Sequence, residues 1–185
     1  MLRSTCLALV LTSLALFASG CGQVVFGEGG SLTAASQSPK AKTTLTSSFE
    51  HAIYGYDDKD NLTVILHQGT LDEPTVAAVV RMFWLPEPGK TPVDPTATNA
   101  SVHYLVFAGR PAGEPAVGVY SGAGFLYPEA DPGGHRLKLE LWEASINLAD
   151  RSAGFEDLLG QANLQGQFTA RRDQRRLSEL LHTLN

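Results

Sequence analysis

Three histidines are the residues of this chain whose spacing could bring chemistry together. Asp57-Asp58-Lys59-Asp60-Asn61 reads as a polar turn between two strands, and a five-residue hairpin pairing Tyr56 with Leu62 sets His51 directly opposite His67 on one face. Cβ atoms of such a pair lie about 5 Å apart, close enough for two imidazoles to share a zinc or copper ion. His103, on a neighbouring strand, could add a third ligand if strand order brings it across. Each histidine nevertheless stands alone in its strand, without the short ligand spacing of metal sites, so the expectation is that no cofactor is bound. The carboxylate run at 57–61 suits calcium by its oxygens. It lacks the glycine and the closing glutamate of a twelve-residue calcium loop, and a turn explains it.

Nucleophilic chemistry finds less support. Ser121 lies in Gly118-Val119-Tyr120-Ser121-Gly122-Ala123-Gly124, where the G-x-S-x-G spacing is not met and no strand-turn-helix follows; a bulge or sharp bend is the expected outcome. HExxH, Walker, SxxK and dinucleotide patterns are absent. Two binding surfaces remain. Trp142 falls on the same strand face as Arg136, Lys138 and Glu140, and with Trp84 it could offer an aromatic platform to a carbohydrate or an envelope protein. Arg171, Arg172, Arg175 and Arg176 crowd the start of a C-terminal helix, where the macrodipole disfavours cations. Asp173, Glu179 or an acidic partner must offset them.

The elements that would carry these residues are mostly strands. Runs rich in Val, Ile, Leu, Tyr and Phe alternate with Gly, Pro, Asp and Asn clusters, predicting strands at 49–56, 62–68, 76–85, 101–109, 116–120, 123–127, 136–148 and 164–171. Arg136-Leu137-Lys138-Leu139-Glu140-Leu141 alternates strictly, three leucines inward and three charges outward. The expected fold is all-β: an antiparallel β-sandwich or partly open barrel with one C-terminal amphipathic helix. In that helix Asp173 caps the first turn, and Leu177, Leu180, Leu181 and Leu184 form a stripe closing one open edge or end of the sheet. The connection from Pro86 to Ala100, with four prolines, is longer than a hairpin needs.

The first 21 residues carry a different message. Met1-Leu2-Arg3 gives one positive charge, and the apolar run from Cys6 to Phe17 is too short for a membrane span, which needs about 20 residues. Ala18-Ser19-Gly20-Cys21 follows, and this stretch resembles the signal peptide and lipobox of bacterial lipoproteins. That resemblance implies removal of residues 1–20 and lipidation of Cys21. It also implies outer-membrane delivery in a Gram-negative cell, since Gly22 rather than Asp follows the cysteine. Cys6 would be lost and Cys21 acylated, which leaves no thiol for catalysis, disulfides or zinc-thiolate sites.

Removal of Arg3, the one charge before Cys21, takes the formal net charge from −5 to −6, a balance that argues against nucleic acid as partner. Anchoring would then rest on the acyl chains rather than on attraction to anionic lipid. Residues 22–48, rich in Gly, Ser, Thr, Ala and Gln, read as a flexible tether of 27 residues with a reach of roughly 30 Å. Residues 49–185 read as one β-rich domain. The expectation is a lipid-anchored envelope lipoprotein whose domain is a non-catalytic binding or structural module. The alternative is a metal-binding protein or cryptic hydrolase using His51, His67 and His103.

Overall fold

The computed structural model describes residues 28–39, 43–57, 59–70, 73–85, 98–109, 116–129 and 135–184. In chain order these form β1 (Gly29–Ser36), β2 (Thr44–Phe49), β3 (His51–Tyr56), β4 (Leu62–Gly69), β5 (Pro74–Met82), β6 (Ala100–Ala108), β7 (Ala116–Pro128), β8 (Arg136–Arg151), β9 (Ala162–Arg172) and α1 (Gln174–Leu184).

From β3 to β9 each strand pairs antiparallel with the next. β9 also has a second edge, and two strands share it. β1 pairs with β9 antiparallel from Gly29↔Thr169 to Ser36↔Ala162, and beyond the start of β1 the strand β3 meets β9 directly, in parallel, at Ile53↔Arg171 and Tyr54↔Arg172. The pairings therefore return to their start. This is the expected all-β architecture in its partly open barrel form: among the described strands β2 pairs through its backbone with β1 alone, which leaves the wall open beside it.

Period-two alternation decides what lies inside. Leu32 and Ala34, Ala52 and Tyr54, Val64 and Leu66, Ala78 and Val80, Val102 and Tyr104, and Leu137, Leu139 and Leu141 all point into one buried interior. Two residues of β8, Trp142 and Glu143, have no partner in β9; the register shifts there, Glu143 takes φ 42°, and Ala144 and Ile146 resume the inward face.

The two ends of the barrel differ. Residues 152–161, between β8 and β9, fold back so that Phe155 and Leu159 join the interior. Phe155 sits edge-on to Tyr120 at 6.3 Å, in space that Gly118 leaves clear; a Cβ there would lie 2.2 Å from the ring. Asp157 fixes this plug. Its Oδ1 accepts the Tyr120 hydroxyl at 2.7 Å and the N–H groups of Leu159 and Gly160 at 3.1 and 2.9 Å. Burial opposes ionisation of Asp157, but these donors outweigh it and hold the carboxyl below its ordinary range.

Helix α1 lies on the outside. Asp173 caps it, with Oδ1 accepting the Arg176 N–H at 3.0 Å. Leu177, Leu180 and Leu181 pack on Ile53, Ile65 and Val79, the outward residues of β3, β4 and β5. The helix was expected over an edge or end; it covers a sheet face instead. The reason is visible in the strands it covers, since Ala52-Ile53-Tyr54 and Val64-Ile65-Leu66 are apolar on both faces and need cover on both.

Three further expectations are corrected. The tether reading of residues 22–48 fails for 29–36 and 44–48, which are strands β1 and β2; Gly, Ser and Ala are abundant there because the seam is tight, not because the chain is loose. At Gly30, for example, a Cβ would lie 2.3 Å from the Gln167 carbonyl oxygen. The strands expected at 116–120 and 123–127 are one strand, β7, and the bulge expected around Ser121 is present within it as register shifts between Val119 and Tyr120 and between Ala123 and Phe125. The strand expected to reach Leu85 ends at Met82. The expected signal peptide, Cys21 and most of the proline-rich connection lie outside the described residues.

Leu177→Ala should cost about 2 to 3 kcal/mol, because the side chain is 2% exposed and truncation opens a cavity between helix and sheet. A denaturant titration should show a lower midpoint with an unchanged slope.

Candidate functional site

Opposite the plug the described residues leave the barrel open. The ends of β3, β5, β7 and β9 and the starts of β4 and β8 surround a cavity of about 460 Å³. Its floor is Leu62, Met82 and Leu137, inward residues that close off the packed interior. Its rim is mixed: Tyr56 and Arg172 on one side, Asp60 and Asn61 on the turn, and Phe83, Trp84 and Leu85 on the segment after β5. The volume falls within the range of about 300 to 1,000 Å³ usual for small-molecule sites, and an apolar floor with a few polar groups is their usual chemistry.

Arg172 is the cation of this mouth. As an even-numbered residue of β9 it shares the inward face with Phe168 and Ala170, yet it lies where the interior ends, so its side chain is exposed at the opening. Its guanidinium carbon lies 5.7 Å from the centroid of the Tyr56 ring. Among the described residues no carboxylate lies within ion-pair distance of it. Burial pushes the Tyr56 phenol above its ordinary value, while the Arg172 charge draws it back.

The segment carrying Trp84 is held by buried Asn99. The Asn99 amide donates to the Leu126 carbonyl at 2.9 Å and its oxygen accepts the Leu126 N–H at 2.7 Å, while the Phe83 N–H donates to the Asn99 carbonyl at 2.8 Å. From Trp84 a run of rings leads down the outer wall. Trp84 meets Phe125 edge-on at 5.9 Å, Phe125 lies 6.4 Å from Trp142, and Tyr127 stacks on Trp142 at 6.0 Å. Both tryptophans singled out in the sequence thus belong to one strip. Trp142 faces outward with Arg136, Lys138 and Glu140, as the alternation predicts.

His51, His67 and His103 do not line this cavity. His51 and His67 are opposite one another, in the expected register, with ring centroids 4.7 Å apart and planes at 30°. They lie on the outer face of the barrel. His67 is 4% exposed with Nδ1 3.1 Å from the Gly69 carbonyl oxygen, and His51 is exposed. His103 is two strands away, opposite Val79 rather than beside His67, and pairs with Ser121 instead (Nδ1 to Oγ, 3.0 Å). Strand order therefore does not bring the third ligand across, and among the described residues no group of three metal-ligating side chains converges. The Ser121–His103 contact lies on the outer wall, with no carboxylate described against it, and neither residue lines the cavity of the mouth.

The arginine cluster is divided by the fold. Arg171 points outward, its Nε 2.8 Å from Glu28 and its guanidinium 3.7 Å from Asp173. Arg175 pairs with Glu179 at 3.1 Å in solvent, and Arg176 lies on the helix side near His67. Of the four, Arg172 lines the cavity. Asp57 is occupied as a turn-former: its carboxylate accepts the Asn61 side-chain amide and the N–H groups of Asn61 and Lys59, which hold it below its ordinary range.

The mouth itself was not read from the sequence, because its residues come from distant strand ends and share no spacing. The available signal was Arg172, a charge at an inward position of a strand otherwise apolar on that face. No protein-family model matches the chain, and no curated protein or solved structure shows significant similarity to it.

Burial holds the His67 imidazole below its ordinary value of 6.5, with the neighbouring His51 charge adding to the effect and the Gly69 carbonyl opposing it. The unfolded chain therefore binds a proton that the folded chain resists. The stability this contributes is present above about pH 6.5 and is lost as the pH falls towards the lowered value. The thermal midpoint should drop between pH 7 and pH 5, and less so in His67→Asn, whose amide can replace the Nδ1 donor.

Proposed function

We propose that this protein is a non-catalytic binding module of the cell envelope, lipid-anchored through Cys21, which takes a small amphiphilic molecule at the open mouth of its barrel. The single observation that carries the reading is the cavity of about 460 Å³ with an apolar floor and Arg172 at its rim. A ligand suited to it has an apolar body to displace water from Leu62, Met82 and Leu137 and an anionic head to meet Arg172.

The opposite end supports this by contrast. There Phe155, Leu159 and Asp157 close the barrel, whereas at the mouth the described residues line a cavity with Arg172 at its rim. A catalytic reading has less to rest on, since the histidines and Ser121 lie outside the cavity.

Decanoate is a simple probe of this chemistry. Titrated into the protein at pH 7.5, it should give a saturable change in tryptophan emission, because Trp84 lines the cavity. Arg172→Gln should raise Kd about tenfold, equivalent to roughly 1.4 kcal/mol, while Arg175→Gln should leave it unchanged. No saturable change, or equal weakening by both variants, would contradict the proposal.

A further inference from the structure

We infer that the mouth of the barrel faces the membrane, and that the strip from Phe83, Trp84 and Leu85 to Trp142 is a docking face for the lipid headgroup and acyl-chain boundary. The inference rests on the reading of Cys21 as a lipid anchor and deepens it.

Its first support is the place where the chain enters the barrel. β1 runs antiparallel to β9, so its first residue, Gly29, lies opposite Thr169 near the end of β9 that carries Arg172. Glu28 lies there beside Arg171, its carboxylate 2.8 Å from the guanidinium Nε. The N-terminal segment therefore leaves the domain at the rim of the open mouth rather than at the plugged end. Cys21 is seven residues before Glu28, a span of at most about 25 Å when fully extended. An anchor at Cys21 holds the mouth within that distance of the bilayer, about one barrel height.

The second support is what the mouth displays. Among the described residues five large apolar side chains are exposed: Phe83 (58%), Leu85 (53%), Trp84 (41%), Trp142 (37%) and Leu158 (60%). Phe83, Trp84 and Leu85 are consecutive at the rim of the mouth, and Trp84 is joined to Trp142 through Phe125; only Leu158 belongs to the plugged end. Tryptophan, with an apolar body and one N–H donor, is at home at the headgroup level, and flanking Phe and Leu add apolar area. A patch of this kind on an untethered protein would promote association. Held at the end of a short leader beside a bilayer, it has a surface to cover it. Docking would also set the cavity over the lipid, which supplies molecules with an apolar body and an anionic or zwitterionic head.

The test uses the full chain, processed in a bacterial host and reconstituted into phosphatidylcholine vesicles with or without acyl-chain bromine, a short-range quencher of tryptophan. The chain has two tryptophans, so Trp142→Phe reports Trp84 and Trp84→Phe reports Trp142. The mass of the N-terminal peptide is read on the same samples, so that the anchor and the docking are judged separately. An acylated Cys21 with both tryptophans losing emission in brominated vesicles supports the inference. An acylated Cys21 with neither tryptophan affected overturns the docking and leaves the anchor standing. Loss at Trp84 alone also overturns it, because a lipid tail in the cavity would reach Trp84 without Trp142 touching the membrane. A mature chain without acyl groups overturns the anchor and the docking geometry with it.

Discussion

Closure of the sheet through β9 is the constraint on which the rest of the molecule depends. One edge of β9 takes β8; the other takes β1 for most of its length and β3 for its last two residues. Three neighbours on one strand require close approach of backbones, and small residues allow it. A Cβ at Gly30 would lie 2.3 Å from the Gln167 carbonyl oxygen, as one at Gly166 would crowd Ser31. Once the seam is closed, period-two alternation has only one meaning, inward or outward, for each residue of the wall. The direct β3–β9 pairing also hands the chain from Arg172 to α1 at a fixed place, where the Asp173 N–H donates to the Tyr54 carbonyl at 3.0 Å and the Gln174 side-chain oxygen accepts the Tyr56 N–H at 2.9 Å.

A closed wall leaves two ends, and their treatment gives the molecule its polarity. At one end an apolar plug is locked by a part-buried hydrogen-bond cluster; burial, with the Asp157 carboxylate adding to it, pushes the Tyr120 phenol up and keeps it a donor across the ordinary pH range. Deeper in the interior, Tyr104 reaches across to Ser47 on β2, oxygen to oxygen 2.6 Å. These polar groups are satisfied inside the barrel, so the interior is both full and specific. At the other end, among the described residues, Leu62, Met82 and Leu137 finish the core as the floor of a cavity, and Arg172, Tyr56 and Asp60 line its opening. One end stores stability and the other presents chemistry.

Much of this was legible from the residues. The hairpin register that sets His51 against His67, the inward leucines of β8, the Asp173 cap and the outward Trp142 all follow from local periodicity and turn chemistry, and each is found. What was not legible has a common cause. Gly29-Gly30-Ser31-Leu32-Thr33-Ala34-Ala35-Ser36 has the composition of a linker, although Leu32 and Ala34 alternate inward; its strand character comes from β9, more than a hundred residues away. Phe155 and Leu159 sit in a segment without period, placed by the space that Gly118 vacates. The mouth gathers single residues from six strand ends, and exposure of Trp84 depends on β5 ending at Met82. Long-range closure, rather than local preference, decided all three.

We propose that the two ends are unequal: one closed by the Phe155–Leu159 plug, one able to receive a ligand. Backbone amide shifts measured by NMR during a decanoate titration test it most directly. The account predicts saturable shifts confined to the neighbourhood of Leu62, Met82, Trp84, Leu137 and Arg172, with Phe155, Leu159 and Gly160 unmoved. Shifts centred on the 152–161 segment, or spread evenly over both ends, would contradict it.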